Sequence, residues 1–166
     1  MKRLVAFSAA ILLTWLCVSG VAATETPGAF VQRFYDSYLK EDAPDWAKTA
    51  RNRRSLFDPT LANALRDDAV AQARTTGYIV GIDFDPFLGS QDPGNRFAVG
   101  HAVPILAGYR VEVYDLESGP KSKPTVLVDI APSGESWIIT DFRYPTTSSE
   151  LLSILRSLRR SRASSH

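Results

Sequence analysis

Apolar side chains recur at intervals of three and four residues in the first half of the chain, which is the pattern of helices with one buried face. Residues 27–40 form the first such segment, and the Thr-Pro pair at 26–27 supplies a cap followed by a first-turn proline. The Asp-Pro pair at 58–59 repeats this signal and begins a helix predicted to end near Thr75. The pattern of residues 45–54 leaves open whether they form a short helix or a loop.

From residue 96 onward the chain changes to segments rich in Val, Ile, Thr and aromatic residues, separated by short turns, which indicates β-strands. In residues 109–113, apolar and polar side chains alternate, as they do in a strand that is buried on one face. Strands joined by such short turns pair antiparallel with their neighbours. The predicted strands are residues 96–105, 109–116, 125–131 and 137–144.

A last helix is predicted after the strands. Thr147 and Glu150 have the spacing of a capping box, and apolar residues between Leu151 and Leu158 form one stripe. Residues 159–166 contain arginines and serines but nothing to bury, so we expect them to form a basic, disordered tail.

The order of these elements predicts an α+β fold with a single domain at residues 24–158. The N-terminal helices are expected to pack on a curved antiparallel sheet of about four strands, and a C-terminal helix follows the sheet. By analogy alone, this is the architecture of NTF2-like and cystatin-like domains.

The first 23 residues have the three parts of a secretory signal peptide. Lys2 and Arg3 precede an apolar run from Leu4 to Val18, and small residues lead up to Ala23. The run is shorter than the roughly 20 residues that span a bilayer. We therefore predict cleavage after Ala23 and a periplasmic or secreted protein that keeps no transmembrane anchor.

The chain contains few of the nitrogen and sulfur ligands that zinc sites use. Its single cysteine, Cys17, follows the bulky Leu16, which disfavours lipidation at that position, and cleavage would remove it. The two histidines are His101, in a predicted strand, and His166, in the predicted tail. Neither a phosphate-binding glycine motif nor a nucleophile elbow occurs. The sequence thus predicts no cofactor, no metal and no catalytic residues.

Charge argues against a nucleic-acid partner. The whole chain has 19 basic and 18 acidic residues, whereas residues 24–150 have 13 basic and 18 acidic ones. Nucleic-acid-binding domains instead present a strongly basic surface. The predicted body of this protein is acidic, and four arginines follow it without an acidic residue.

The most unusual segment is residues 83–92, here named the acidic loop, in which three aspartates and a glutamine surround two phenylalanines. Its oxygens could bind calcium, although the spacing does not fit an EF-hand. One aspartate could instead act as a general base beside apolar walls. The carboxylates could also cap turns and so organise the loop. The candidate binding residues are Asp83, Asp85, Gln91 and Asp92.

Three segments resemble, in the same order, the YbjP/YqhG-like domain of unknown function, found in small periplasmic proteins and lipoproteins of Gram-negative bacteria. They are residues 30–39, with the sequence FVQRFYDSYL, the acidic loop, and residues 137–142, with the sequence WIITDF. The resemblance covers roughly residues 28–155 and is most specific in the acidic loop. It implies an exported α+β domain without an established activity, so it transfers no catalytic residue.

We interpret the chain as an exported periplasmic binding or accessory protein that contacts an envelope protein through the acidic loop or the concave side of the sheet. Two alternatives stay open. One is a small NTF2-like enzyme with Asp83 or Asp85 in an apolar pocket, and the other is an immunity-type inhibitor of a periplasmic toxin. The sequence favours a binding protein over an enzyme and leaves the oligomeric state open.

Overall fold

The computed structural model describes residues 25–41, 43–77, 79–117 and 123–164. The predicted signal peptide at residues 1–23, with Cys17, lies outside the described residues, and so does His166. Among the helices in these ranges, none combines the length and the apolar character needed to cross a bilayer.

Three helices precede the sheet, and a side chain caps each of them at its start. They are α1 (Pro27–Tyr38), α2 (Trp46–Asn52) and α3 (Pro59–Ala73), with a short 3-10 turn at Arg54–Leu56. Thr26 Oγ1 accepts a hydrogen bond from Ala29 N at 3.3 Å, and Asp58 Oδ1 accepts one from Thr60 N at 2.8 Å. Both predicted helices are confirmed, and α2 accounts for most of residues 45–54, which the pattern left open.

Five antiparallel strands form one curved, open sheet in the order β1-β2-β3-β4-β5. The strands are β1 (Phe97–Ile105), β2 (Gly108–Asp115), β3 (Val126–Ser133), β4 (Ser136–Tyr144) and β5 (Ser149–Glu150). The α+β fold and the four predicted strands are confirmed. The fifth strand is only two residues long, too short for side-chain alternation to reveal it in the sequence.

The last helix, α4, covers Leu151–Ser164. The capping box predicted at residues 147–150 is wrong, because Glu150 lies in β5, where it pairs with Arg143 of β4 and makes an ion pair with it. Asp141 of β4 takes over the capping role, since its Oδ1 accepts a hydrogen bond from Leu152 N at 3.1 Å. Strand pairing therefore overrides the local helix signal.

The prediction of a disordered tail at residues 159–166 is wrong for residues 159–164, which belong to the last helix. The remaining two residues lie outside the described part of the chain. α4 continues to Ser164 because its last turns find a partner. Arg162 Nη1 donates hydrogen bonds to Asp68 Oδ1 at 2.6 Å and to the carbonyl oxygen of Val80 at 2.9 Å. These contacts, here named the Asp68–Arg162 clasp, hold α4 against α3.

An aromatic cluster joins the helices, the sheet and the acidic loop in one core. Phe87 of the acidic loop is fully buried at its centre. Its ring centroid lies 5.1–5.5 Å from those of four others, namely Phe34 and Tyr38 of α1, Phe57, and Phe142 of β4. The loop therefore contributes to the hydrophobic core and does not merely connect α3 to β1.

The opposite face of the sheet carries ion pairs. Arg110 of β2 donates to both carboxylate oxygens of Asp129 of β3, at 2.7 and 2.9 Å. Arg143 of β4 donates to Asp129 Oδ2 at 2.6 Å and also pairs with Glu150. This chain of charges crosses four strands and compensates the buried Asp129 carboxylate.

Strand β1 forms one edge of the sheet, and two of its backbone amides donate hydrogen bonds to side chains. Gln32 Oε1 of α1 accepts a hydrogen bond from Val99 N at 3.0 Å. The register against β2 shifts between Val99 and Ala102, and within this bulge His101 N donates to Glu112 Oε2 at 3.3 Å. The edge is therefore neither regular nor fully open to hydrogen bonding.

Candidate functional site

The acidic loop is fixed to the core by hydrogen bonds to its backbone. Tyr35 OH donates to the carbonyl oxygen of Phe87 at 2.6 Å, and Tyr144 OH donates to that of Pro86 at 2.8 Å. Asp85 N also donates to the carbonyl oxygen of Ser90 at 2.9 Å, which closes the loop on itself. A loop held in this way presents its exposed side chains on a rigid frame.

Asp85 belongs to that frame. Its Oδ1 accepts hydrogen bonds from Phe87 N at 2.9 Å and from Leu88 N at 3.1 Å, and its Oδ2 accepts one from Tyr38 OH. Both carboxylate oxygens therefore have donors within the protein. This arrangement supports the structural interpretation, in which an aspartate organises a turn through neighbouring amides.

Burial raises the pKa of the Asp85 carboxyl above its usual value, and the hydrogen bonds from Tyr38, Phe87 and Leu88 offset this only in part. Burial also raises the pKa of Tyr38, and the neighbouring Asp85 charge adds to that shift. Tyr38 therefore stays protonated and donates to the carboxylate. Ionisation of Asp85 costs more in the folded protein than in the unfolded chain.

Asp85→Asn is expected to flatten the pH dependence of stability. A raised pKa means that the contribution of Asp85 to folding is complete below its unfolded pKa and is lost as pH rises through the folded one. The parent should therefore lose free energy of unfolding, relative to Asp85→Asn, as pH rises above about 4, the usual pKa of an aspartate. Urea unfolding at several pH values measures this difference.

The matched control is Asp83→Asn, the same change at an exposed position of the same loop. Asp83 is exposed, so Asp83→Asn should show the same slope of stability against pH as the parent. Asp141, whose pKa burial also raises, contributes equally to the parent and to both variants. A slope in Asp85→Asn equal to that of the parent would contradict the prediction.

The other three candidate residues lie at the surface of the acidic loop. Asp83, Gln91 and Asp92 are exposed. Gln91 Nε2 donates to Asp83 Oδ2 at 3.0 Å, so the structure brings these two side chains together. Asp92 follows directly, and its amide donates to Ser90 Oγ at 3.1 Å. Asp85 points away from them toward Tyr38.

The calcium interpretation gains no support from this arrangement. Within the described residues, no three His, Cys, Asp or Glu side chains are grouped so that they could hold a metal ion. The Asp85 oxygens accept from Phe87 N within the loop and from Tyr38 OH of α1, which leaves Asp83 and Asp92 as the surface carboxylates of the acidic loop. His101 lies elsewhere, in β1, where its exposed ring Nδ1 is 3.2 Å from Glu112 Oε2.

A groove between α3 and α4 is a feature that the sequence did not predict. It has a volume of about 320 Å³. Its floor is apolar, with Ala64 of α3 and Leu155 of α4, whereas Arg156 and Arg159 of α4 lie along its rim. The spacing of these arginines was visible in the sequence, but they were split between the predicted helix and the predicted tail.

Comparisons with protein-family models, with curated proteins and with solved structures found no match to this chain. The resemblance to the YbjP/YqhG-like domain therefore stays a proposal based on the three segments named above.

Proposed function

We propose that the chain is an exported periplasmic binding or accessory protein, and that it contacts an envelope protein through the exposed side chains of the acidic loop. The observation that carries this proposal is the division of roles within the loop. Asp85 and Phe87 fix it to the core, and Asp83, Gln91 and Asp92 remain at its surface.

Rigid presentation favours binding because little conformational entropy is lost when a partner docks. Tyr35 of α1 and Tyr144 of β4 donate to the loop backbone, and Tyr38 of α1 donates to the side chain of Asp85. Loops placed on such a scaffold are common sites of recognition. The partner that fits two exposed carboxylates is a basic protein surface, since opposite charges steer association and fix orientation.

The enzyme alternative is less well supported. A general base needs a lone pair that faces the substrate, and both oxygens of Asp85 already accept hydrogen bonds within the protein. Asp83 is exposed, and its Oδ2 accepts a hydrogen bond from Gln91.

An immunity-type inhibitor would use the same loop as an accessory protein and would differ only in the partner, a basic periplasmic toxin.

The experiment is a pull-down from envelope extract with the tagged parent and with Asp83→Lys/Asp92→Lys. Reversing both exposed charges is expected to weaken capture of the partner at least tenfold, because a basic surface would then meet lysines. Both positions are exposed, so the fold should be retained and stability should change by only about 0.5 kcal/mol.

Mass spectrometry of the purified form tests export, since cleavage after Ala23 leaves a chain that begins at Thr24.

Glu135→Lys is the matched control, because Glu135 is exposed in the turn between β3 and β4, outside the acidic loop. A partner that the parent and Glu135→Lys retain and the double variant loses supports the loop as the binding surface. A partner that all three retain equally refutes it, and so does the absence of any captured protein.

A further inference from the structure

We propose that the groove between α3 and α4 binds an amphiphile with one carboxylate head and an unbranched hydrocarbon chain. This site is separate from the acidic loop and does not depend on the function proposed for that loop. Its volume of about 320 Å³ lies at the lower end of the range of small-molecule sites.

The apolar floor of the groove is the surface that the hydrocarbon chain of the ligand would contact. Ala64 is half-buried on α3, Leu152 is half-buried on α4, and Leu155 is buried beneath them. The small Ala64 side chain leaves the space between the two helices open. A hydrocarbon chain would cover this apolar surface and remove it from water.

The arginines along the rim of the groove are the groups that would bind the carboxylate head of the ligand. Arg162 is paired with Asp68, and Arg159 Nη1 lies 3.9 Å from Asp67 Oδ2. Within the part of the chain that the structure describes, Arg156 has no hydrogen bond or ion pair. Asp67 also pairs with Arg66, whose Nη2 donates to Asp67 Oδ1 at 3.0 Å. The guanidinium groups around the groove therefore outnumber the two aspartates, which favours a negatively charged head group, and Arg156 is the cation with which one carboxylate would pair.

Guanidinium chemistry supports the same assignment. Arginine presents paired N–H donors that match the two oxygens of a carboxylate. Arg156 and Arg159 are three positions apart, so they lie on one face of α4, next to the apolar floor. The Asp68–Arg162 clasp fixes α4 against α3 and so holds both walls of the groove in place before a ligand arrives.

Titration calorimetry with sodium decanoate, kept below its micelle concentration, tests this proposal on the full chain. We expect the parent to bind decanoate and Arg156→Glu to bind it at least tenfold more weakly. Arg51→Glu is the matched control, because Arg51 is an exposed arginine of α2 that does not line the groove, and it should bind as the parent does. Residues 1–24 are the same in all variants, so any contribution from them cancels.

A second variant keeps every charge and fills the floor. Ala64→Met should abolish decanoate binding while the protein stays folded, because methionine is a good helix former and occupies the groove. Two further probes test the head group: neutral decyl maltoside should bind at least tenfold more weakly than decanoate, and decyl phosphate should not bind more tightly than decanoate. Equal binding by the parent and Arg156→Glu, binding only at micellar concentrations, or tighter binding of decyl phosphate would each overturn the proposal.

Discussion

Arg162→Ala is expected to lower the free energy of unfolding by about 3 kcal/mol, near the lower end of the range for breaking a buried ion pair. Asp68 is fully buried, whereas the Arg162 side chain is 21% exposed, so the substitution leaves a carboxylate without its cationic partner inside the protein. Ile82 N and Gln72 Nε2 still donate to Asp68 Oδ2, each at 3.0 Å, which limits the loss. Urea unfolding followed by tryptophan fluorescence measures the change.

Arg159→Ala is the matched control on the same helix. Arg159 is 77% exposed and lies 3.9 Å from Asp67, so its removal should change stability by less than about 0.5 kcal/mol. Arg162→Lys should give an intermediate loss, because one ammonium group cannot reproduce the guanidinium geometry toward Asp68 and Val80. Equal effects of Arg162→Ala and Arg159→Ala would show that the Asp68–Arg162 clasp does not stabilise the fold.

Phe87→Ala is expected to cost about 3–5 kcal/mol, the usual range for removing a buried aromatic ring. The Phe87 side chain is fully buried and contacts rings from α1, from β4 and from the segment before α3. Truncation leaves a cavity that these surrounding rings can fill only in part. Thermal unfolding and urea unfolding both report this loss.

Phe84→Ala is the control within the same loop. Phe84 is half-buried, and within the residues that the structure describes its ring contacts that of Tyr144, at 5.2 Å between centroids. Its removal should cost about 1–2 kcal/mol less than that of Phe87, because less apolar area and fewer ring contacts are lost. If both substitutions had the same effect, Phe87 could not be the residue that anchors the acidic loop to the core.

Local patterns predicted most of the fold because they report directly on burial. The stripe in α1 predicts the side chains that the structure buries, and the alternation in β2 does so for Val111 and Val113, while Tyr109 on the same face is half-buried. The Asp-Pro signal before α3 succeeded because capping depends on neighbours in sequence. The signal at residues 147–150 failed because Glu150 pairs with Arg143 across two strands, a contact that no local pattern contains.

The candidate site was predictable only in part, for a related reason. The density of carboxylates identified the acidic loop, and turn chemistry was among the interpretations of Asp85. Which aspartate points inward depends on Tyr38, 47 residues earlier in the chain. The groove depends on the packing of α3 against α4, and the ordered end of α4 depends on Asp68, 94 residues before Arg162.

The side chains along β1 have a consequence for aggregation. A free strand edge can template the addition of another chain, and such addition is a common route to fibres. Here the Val99 amide donates to Gln32, and the bulge at His101 breaks the register of β1. At the opposite edge, β5 pairs with Arg143 and Tyr144 of β4, and Phe57 forms a bridge with Ile139. We therefore expect folded molecules to resist edge-to-edge growth, so that aggregation of a destabilised variant such as Phe87→Ala would start from its unfolded chains.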